Sequence, residues 1–420
     1  MKAVEIINQV VALLFFVFYA YQFFYIFIAT IKKPRRFDPV KAKFHRFAVM
    51  ISARNEEKVI GQLIDSIKQQ TYPAELVDIF VVADNCTDST AKVAREKGAT
   101  KVYERFNQEK VGKGYALELL FDKVREDYGH TYFDGYFVFD ADNLLDSRYI
   151  EEMNTTFSAG YKVLTSYRNS KNFGDNWISA GYALWFLREA RHLNNARMLL
   201  NTTCAISGTG FLLSQEIVEK NDGWRHFLLV EDIEFTVDMV CDGEKFGYCH
   251  DAMLYDEQPT TFRQSWRQRM RWSRGYYQIF YHYGSRLLEG IFKKHRFSCY
   301  DMCMTIMPAL VLSLLTLGAN VAGLVGALLD GSSLVPVLKG LLGMATGAYG
   351  MFIVIGAFAL ISEWKKIYCS TAKKILYLFT FPLFMMTYLP ISFVAIFRKT
   401  EWKPITHNVA ISIDEVKFGR

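Results

Sequence analysis

The chain has 420 residues, of which 51% are hydrophobic and 22% are charged, and its formal net charge is +6 at pH 7. Basic clusters beside long apolar runs account for this charge, so the composition requires no nucleic-acid partner. The seven cysteines lack the paired spacing of a disulfide framework. The apolar content is large enough for a soluble core together with several membrane spans.

Four long apolar runs predict membrane helices: Val10–Ile31, Ile306–Leu329, Leu334–Ile361 and Ile375–Phe397. Each is long enough to cross about 30 Å of hydrocarbon at about 1.5 Å per residue. The basic cluster at residues 32–36 follows the first run. By the positive-inside rule it places the N-terminus outside and the following residues in the cytoplasm.

The last run conflicts with a simple four-helix topology. Four complete crossings would leave the C-terminal tail outside, whereas Arg398 and Lys403 indicate the cytoplasm. Pro382 and Pro390 make the last run a candidate for a broken or re-entrant helix. Lys339 makes the third run a second candidate for an incomplete crossing.

Between residues 44 and 292, apolar strands alternate with helical patterns. The predicted strands are Phe47–Ile51, Val77–Val82, Lys101–Tyr103 and Tyr136–Phe139. Strands that alternate with helices in this way favour right-handed crossovers and a parallel, doubly wound α/β sheet. In such a sheet, ligands bind at the carboxyl ends of the strands.

The fourth predicted strand ends at two carboxylates, Asp140 and Asp142. Because side chains two residues apart on a strand leave on the same side, both can reach one divalent cation, with substrate phosphates completing its shell. A solvated turn is the alternative, since Asp and Asn commonly end strands. Asp84 and Lys113 are expected on the same rim, which would suit a nucleotide; a turn residue and a solvated lysine are their alternatives.

Arginines and aromatic residues dominate the stretch from Phe262 to Tyr283. Helical spacing separates an aromatic face from an arginine-rich face, as expected for a helix in the membrane interface. A juxtamembrane anchor with no catalytic role is the alternative. Arg269 and Arg271 could donate to a diphosphate, and Trp272 could stack on an acceptor sugar.

Six motifs occur in order along this region. They are Ala53-Arg54-Asn55-Glu56, Asp84-Asn85-x-x-Asp88, Gly112-Lys113-Gly114-Tyr115-Ala116-Leu117, Asp140-Ala141-Asp142, Glu231-Asp232 and Gln268-Arg269-Met270-Arg271-Trp272. With this set, the sequence resembles the membrane-bound processive glycosyltransferases of family 2, such as the synthases of cellulose, hyaluronan and poly-N-acetylglucosamine.

The resemblance implies a GT-A type, doubly wound, mostly parallel α/β sheet in the cytosol, joined to an α-helical transmembrane region with interfacial amphipathic helices. The chain then divides into a first transmembrane helix with its basic flank (1–35), a cytosolic GT-A domain (36–260), interfacial helices with the QxxRW motif (261–298), C-terminal transmembrane helices (299–400) and a tail (401–420).

For the donor, the resemblance implies that Asp84 accepts from the uracil or ribose of a UDP-sugar and that Lys113 lies near its phosphates. Asp140 and Asp142 would hold Mg²⁺ or Mn²⁺, which neutralises the diphosphate leaving group. The resemblance also assigns Gln268, Arg269 and Arg271 to the nucleotide-sugar, and Asp140 would contact it as well as the metal.

For the acceptor, the resemblance implies that Asp232 is the general base of an inverting transfer; a helix N-cap is its alternative. Ser207, Gly208 and Thr209 would line the acceptor site together with Trp272. A tight turn or bulge is the alternative for that loop.

The favoured function is a processive synthase that polymerises UDP-glucose into a β-linked polysaccharide and exports it. We expect a multi-pass plasma-membrane protein with a cytoplasmic catalytic domain, whose partners are the UDP-sugar, the growing polysaccharide, the lipid bilayer and a second copy of the chain. The alternatives are addition of a single sugar to a lipid, a hyaluronan or poly-N-acetylglucosamine type synthase using UDP-GlcNAc, and a catalytically silent membrane partner.

Overall fold

The structure is a computed structural model that describes residues 2–398, 400, 402–405 and 407–418. One eight-stranded sheet organises an α/β domain, and long apolar helices pack beside it. The strands are β1 (Phe47–Ala53), β2 (Val77–Asp84), β3 (Lys101–Arg105), β4 (Gly135–Asp140), β5 (Leu144–Leu145), β6 (Val163–Ser170), β7 (Phe211–Ser214) and β8 (Phe246–Asp256).

The sheet is mixed, with the strand order β3-β2-β1-β4-β7-β6-β8-β5. The predicted parallel, doubly wound arrangement is confirmed for β1 to β4, in which β1 pairs with both β2 and β4 and β2 pairs with β3. Beyond β4, strand β7 runs antiparallel to its neighbours β4 and β6, whereas β6 and β8 are parallel. The short β7 could not be recognised as an antiparallel strand because its partners are distant in the sequence.

Strand β4 lies in the middle of the sheet and is buried on both faces. Tyr136 and Val138 belong to one hydrophobic core, whereas Phe137 and Phe139 belong to the core on the opposite face. This alternation follows from the two-residue period of a strand. The apolar run stops at Asp140, so the carboxylate emerges at the carboxyl edge of the sheet, beside the ends of β1 and β2.

The helices of the α/β domain surround the sheet, and the later helices continue into the apolar region. They are α1 (Lys2–Ile31), α2 (Ile60–Lys68), α3 (Thr90–Glu96), α4 (Lys113–Tyr128), α5 (Tyr149–Phe157), α6 (Trp177–Arg188), α7 (Asn195–Leu199), α8 (Gln215–Lys220), α9 (Glu231–Asp242), α10 (Phe262–Phe292), α11 (Phe297–Ile306), α12 (Pro308–Leu329), α13 (Val335–Ser362), α14 (Thr371–Met386), α15 (Tyr388–Phe397) and α16 (Ile413–Phe418). A π-helical segment, Glu189–Asn194, joins α6 to α7.

Four helical segments are long and apolar enough to cross a membrane: Ala3–Ile31, Val311–Leu329, Val335–Ser362 and Thr371–Phe397. They correspond to the four predicted runs. In each of the first three segments, only 17% of the most apolar 18-residue stretch is buried, compared with 39% in the fourth segment. The fourth segment is therefore more covered by protein than the others.

The fourth segment is two helices, α14 and α15, which meet at Thr387, and Pro382 lies inside α14. Its start is held to the α/β domain, where Lys373 Nζ donates to Gly174 O at 2.7 Å. Soon after its end, the Arg54 guanidinium of the α/β domain lies 5.3 Å from the ring centre of Trp402. Both ends therefore lie near the same domain, which favours the predicted broken or re-entrant helix over a simple crossing.

A buried polar cluster joins the first apolar helix to the rest of the protein. Arg197 of α7 forms a salt bridge with Asp301 of α11 at 2.8 Å, and each side chain is only 1% exposed. Tyr21 and Tyr25 of α1 each donate to the Asp301 carboxylate at 2.9 Å. A buried ion pair needs such additional donors, because its desolvation cost is large.

The contacts of α14 and α15 predict three complete crossings, formed by α1, α12 and α13. In cells, we expect a membrane-impermeant maleimide to label Ser332→Cys, in the turn between α12 and α13, from outside. Lys403→Cys should react only after the membrane is opened. The partly exposed Cys86 and Cys369 would first be replaced by serine. Labelling of Lys403→Cys in intact cells would contradict this topology.

Candidate active site

Lys113 joins the two sides of the site at the carboxyl edge of the sheet. Its ammonium forms a short contact with Asp140 Oδ1 and donates to Gly208 O at 2.7 Å. Burial disfavours the charge, but Asp140 and Glu231 outweigh this effect and raise the pKa of Lys113. One largely covered cation therefore connects the predicted donor residue Asp140 to the predicted acceptor loop.

The start of α4 is built so that Lys113 can reach this position. Gly112, just before the helix, has a φ of +146°, which favours glycine. A Cβ atom at Gly114 would lie 2.2 Å from His226 O, so the helix can approach the 226–227 segment only with glycine there. The Gly-Lys-Gly motif thus has a packing reason as well as a chemical one.

Asp142 lies two residues after Asp140 and is only 4% exposed. Its Oδ2 accepts from the backbone N–H of Glu257 at 2.8 Å. Burial by itself would raise the pKa of Asp142, but the nearby cations of His407 and Lys171 outweigh burial and lower it. Asp142 is therefore an ionised, largely enclosed acceptor.

The two carboxylates fit a divalent cation that also binds phosphate oxygens. Within the described residues, no group of three or more His, Cys, Asp or Glu side chains forms a complete metal site. A cation here would be held by Asp140 and Asp142 and would need oxygen ligands from a substrate, as Mg²⁺ commonly does. Thr209 braces this end of β4, because its Oγ1 accepts from the backbone N–H of Asp140 at 2.9 Å.

Asp84 lies on the same rim, but its carboxylate already has strong partners. Arg105 Nη1 donates to Asp84 Oδ1 at 2.6 Å, and both side chains are buried. Asn85 Nδ2 donates to the same oxygen at 3.0 Å. Sequence reasoning missed Arg105, although its place at the end of β3, in register with Asp84, would follow once the β2–β3 pairing is known.

Glu231 and Asp232 form the first turn of α9, and Val230 is the N-cap. Asp232 is therefore not the N-cap residue considered from the sequence. A Cβ atom at Gly208 would lie 3.8 Å from Asp232 Oδ2, so Asp232 borders the predicted acceptor loop. Burial raises the pKa of Asp232, and it raises that of Glu231 to about 7.

The Ser207–Thr209 loop lies beside Asp232. Two residues that sequence reasoning missed, Arg168 and Glu189, hold this loop. Arg168 Nη1 donates to Ser207 O at 2.8 Å, and its Nε donates to Asp256 Oδ2 at 2.7 Å. Ser207 Oγ donates to Glu189 at 3.4 Å, from the π-helical segment. π-Helical turns are frequent at functional sites, but no sequence pattern identified this one.

Gln268, Arg269 and Arg271 take different directions from α10. The Arg271 charge acts on both Glu231 and Asp232, and its guanidinium also contacts Leu229 O. Arg269 is fully buried and donates to Phe384 O at 3.0 Å and to Thr387 Oγ1 at 2.7 Å. The Oε1 atom of Gln268 is buried without a hydrogen-bond partner in the described chain.

The structure thus brings Arg271 to the carboxylates of Glu231 and Asp232. Arg269 points elsewhere and holds the junction between α14 and α15. The reason is helical geometry, because residues two apart on an α-helix point about 200° away from each other. Trp272 lies between these directions. Its ring contacts those of Tyr182 and Phe186, with centres 5.7 and 6.3 Å away.

Comparison with known families decides the class of protein. A family model described as "Glycosyltransferase like family 2" matches residues 45–275, more than half of the chain. The chain belongs to this family. The family match covers the predicted motifs from β1 to Gln268–Trp272.

Two curated relatives are similar to this glycosyltransferase. The probable glycosyltransferase YdaM of Bacillus subtilis (strain 168) is 26% identical over 250 residues, which are 55% of this chain and 55% of that protein. The beta-monoglucosyldiacylglycerol synthase of Nostoc sp. (strain PCC 7120) is 24% identical over 292 residues, 67% of this chain and 59% of that protein. The chain therefore spans between half and two thirds of these relatives.

Among solved structures, the mannosyltransferase PcManGT from Pyrobaculum calidifontis, in complex with GDP-Man and Mn²⁺, has a TM-score of 0.56 to this chain. The alignment covers 92% of this chain and 98% of that one at 16% identity. This likeness concerns the fold alone. Together with the family match, it confirms the predicted GT-A type fold.

The Asp84–Arg105 pair predicts a clear stability effect. Arg105→Ala would leave a buried carboxylate without its cation, so we expect the free energy of unfolding to fall by about 3 kcal/mol. Thermal unfolding of the purified protein would measure this. The control is Arg95→Ala, which removes the exposed Arg95–Glu104 pair and should cost at most about 1 kcal/mol. Equal effects of the two substitutions would contradict the assignment.

Proposed function

We propose that this protein is a non-processive, inverting glycosyltransferase that transfers one hexose from a nucleotide-sugar to a hydroxyl group of a membrane lipid. Diacylglycerol is the first acceptor to test. The position of Asp232 carries the proposal. This carboxylate borders Gly208, and its charge acts on Lys113 of the rim and on Tyr276 of α10.

The donor half of the proposal follows from the charges on the rim. Asp140 and Asp142 would hold Mg²⁺ or Mn²⁺, and that cation would neutralise the diphosphate as it leaves. Lys113 keeps Asp140 in position and adds a buried positive charge beside it. The solved structure of similar fold contains GDP-Man and Mn²⁺, which supports a nucleotide-sugar and a divalent cation here.

The transfer needs a single base. Asp232 would take the proton of the acceptor hydroxyl. At the same time the hydroxyl oxygen attacks the anomeric carbon, and the bond from that carbon to the diphosphate breaks. One displacement of this kind converts an α-linked donor into a β-linked product. Gly208 borders Asp232 with a positive φ that favours glycine, and Lys113 and Arg271 lower the pKa of Asp232 that burial would otherwise raise further.

The acceptor half follows from the residues on the other side of Asp232. The charges of Glu189 and Asp232 both act on the hydroxyl of Tyr276, a partly buried residue of α10. Close by, Tyr182 of α6 contacts Trp272 of α10 and Phe384 of α14. Polar groups lie around the proposed catalytic base Asp232, and aromatic side chains from apolar helices follow them. This arrangement would suit a lipid whose hydroxyl points toward Asp232. The similarity to a beta-monoglucosyldiacylglycerol synthase supports the same acceptor class.

The second candidate is a processive synthase of a β-linked polysaccharide, which the Gln268–Trp272 motif favours. The helix packing favours it less, because a polymer would need a polar route between helices. A Cβ atom at Gly181 of α6 would lie 2.4 Å from Phe384, and one at Gly356 of α13 would lie 2.8 Å from Phe381. The aromatic side chains of α14 therefore fill the space against both neighbours.

The product distinguishes the two candidates. We expect the purified protein, in nanodiscs containing diacylglycerol and supplied with Mn²⁺, to use one of UDP-glucose, UDP-galactose and GDP-mannose. Mass spectrometry should find one hexose per lipid, and chelation with EDTA should stop the reaction. High-molecular-weight material that a β-glycanase digests would instead establish the processive synthase.

The proposed base predicts a specific pH profile. Asp232 must be ionised to accept a proton, and its pKa is raised, so kcat/KM should fall as the pH drops, starting above the usual aspartate pKa of about 3.9. Asp232→Asn should lower kcat by about 10²-fold or more.

The neighbouring acid provides the matched variant. Glu231 has a pKa of about 7 and is therefore largely protonated where Asp232 titrates, so Glu231→Gln should leave the acid limb of kcat/KM near its place while transfer persists. Unchanged transfer by Asp232→Asn would remove Asp232 from the mechanism. A loss of transfer in Glu231→Gln as large as in Asp232→Asn would contradict the choice of Asp232 over Glu231 as the base.

A further inference from the structure

The π-helical segment brings an acidic side chain to the acceptor side of the site. Glu189, its first residue, follows Phe186 of α6 by three positions, so the two side chains are neighbours on one face of the helix. Arg168 of β6 stacks on Phe186, with its guanidinium carbon 3.7 Å from the ring centre. An aromatic ring, a cation and a carboxylate therefore border the same space.

A small cavity of about 10 Å³ lies between this helix face and the predicted acceptor loop. Its lining includes Arg168, Phe186, Glu189, Ser207 and Thr209. The volume admits one water-sized group, such as a hydroxyl. Because charged and hydrogen-bonding side chains form much of its wall, the cavity suits a small polar group and not an alkyl chain.

The Glu189 carboxylate has hydrogen-bonding capacity left for a ligand. Ser207 Oγ donates to Glu189 Oε2 at 3.4 Å, which is long for a bond between two oxygens. Within the described residues, this carboxylate has no other hydrogen bond and no salt bridge. The nearby Arg168 instead donates to Asp256 and to Ser207 O. Since a carboxylate can accept several hydrogen bonds, Glu189 can take one from a bound molecule.

Glu189 and the proposed base Asp232 face the same region. Burial raises the pKa of Glu189, and the negative charge of Asp232 acts in the same direction. Both acids act on the hydroxyl of Tyr276. A Cβ atom at Gly208 would lie 3.7 Å from Arg168 Nη1 and 3.8 Å from Asp232 Oδ2, so this glycine lies between the cavity wall and the base. One small headgroup could therefore reach both acids.

We propose that Glu189 selects the acceptor by accepting a hydrogen bond from a second hydroxyl, adjacent to the one that Asp232 deprotonates. The acceptor class is then a lipid whose headgroup carries two neighbouring hydroxyls. Diacylglycerol has a single hydroxyl, so it would leave Glu189 without this bond and would be used less well. The inference rests on the proposed transfer to a membrane lipid and narrows the class of that lipid.

Two lipids that differ by one hydroxyl test this inference. The first is a monoalkylglycerol, which carries two adjacent hydroxyls, and the second is the same lipid without its central hydroxyl. Each would be supplied in nanodiscs to the full chain, with Mn²⁺ and the preferred nucleotide-sugar. We expect kcat/KM of the unmodified protein to be at least about tenfold higher for the diol, because the deoxy lipid leaves a carboxylate unpaired.

Substitutions of Glu189 should remove this preference selectively. Glu189→Ala should lower kcat/KM for the diol about tenfold and leave that for the deoxy lipid within about twofold. Glu189→Gln keeps an oxygen acceptor without the charge, so it should retain an intermediate preference. The control is Glu216→Ala, which removes an exposed acid paired with Lys162 and should leave the preference unchanged.

The outcomes separate this inference from the proposed function. Equal use of both lipids by the unmodified protein would exclude a bond to the second hydroxyl. An equal loss for both lipids in Glu189→Ala and Glu189→Gln would indicate that Glu189 only holds Ser207. Either result would overturn this inference alone, since transfer to a lipid would stand. No transfer to these lipids or to diacylglycerol would overturn the proposed function together with this inference.

Discussion

The contact of Lys113 with Asp140 and Gly208 is the interaction on which the site depends. It connects the end of the central strand β4 to the loop beside Asp232, which otherwise belong to distant parts of the chain. The Lys113 side chain is largely covered by protein and needs acidic partners, which Asp140 and Glu231 supply. The close approach of Gly114 to His226 is what allows α4 to deliver the lysine to this place.

The excess of acids around this contact organises the rest of the rim. Arg105 compensates Asp84, Arg168 compensates Asp256, and His407 of the C-terminal segment contacts Glu56. Each of these cations comes from a different element, so the acids also determine how those elements are placed. The same surplus of negative charge would suit a divalent cation.

Much of this arrangement could be predicted from the sequence, because it follows from local periodicity. The apolar run that ends at Asp140 predicted a buried strand with a charged end, and the structure shows it. What could not be predicted depends on distant pairing: the antiparallel β7, the partner of Asp84 and the contact of the C-terminal residue His407 with Glu56. Arg269 is a different case. Its two-residue separation from Arg271 on a helix already placed the two guanidinium groups on opposite faces.

The polar cluster around Asp301 has a consequence for how the protein is made. Tyr25 and its acceptor Asp301 are 276 residues apart in the chain. During synthesis, α1 is therefore inserted long before its partner leaves the ribosome. Its tyrosines suit this delay, because a tyrosine hydroxyl is tolerated at the membrane interface while it waits. The carboxylate of Asp301 and the guanidinium of Arg197, which would be costly there, follow much later in the chain, so α1 does not wait beside an unpaired charge.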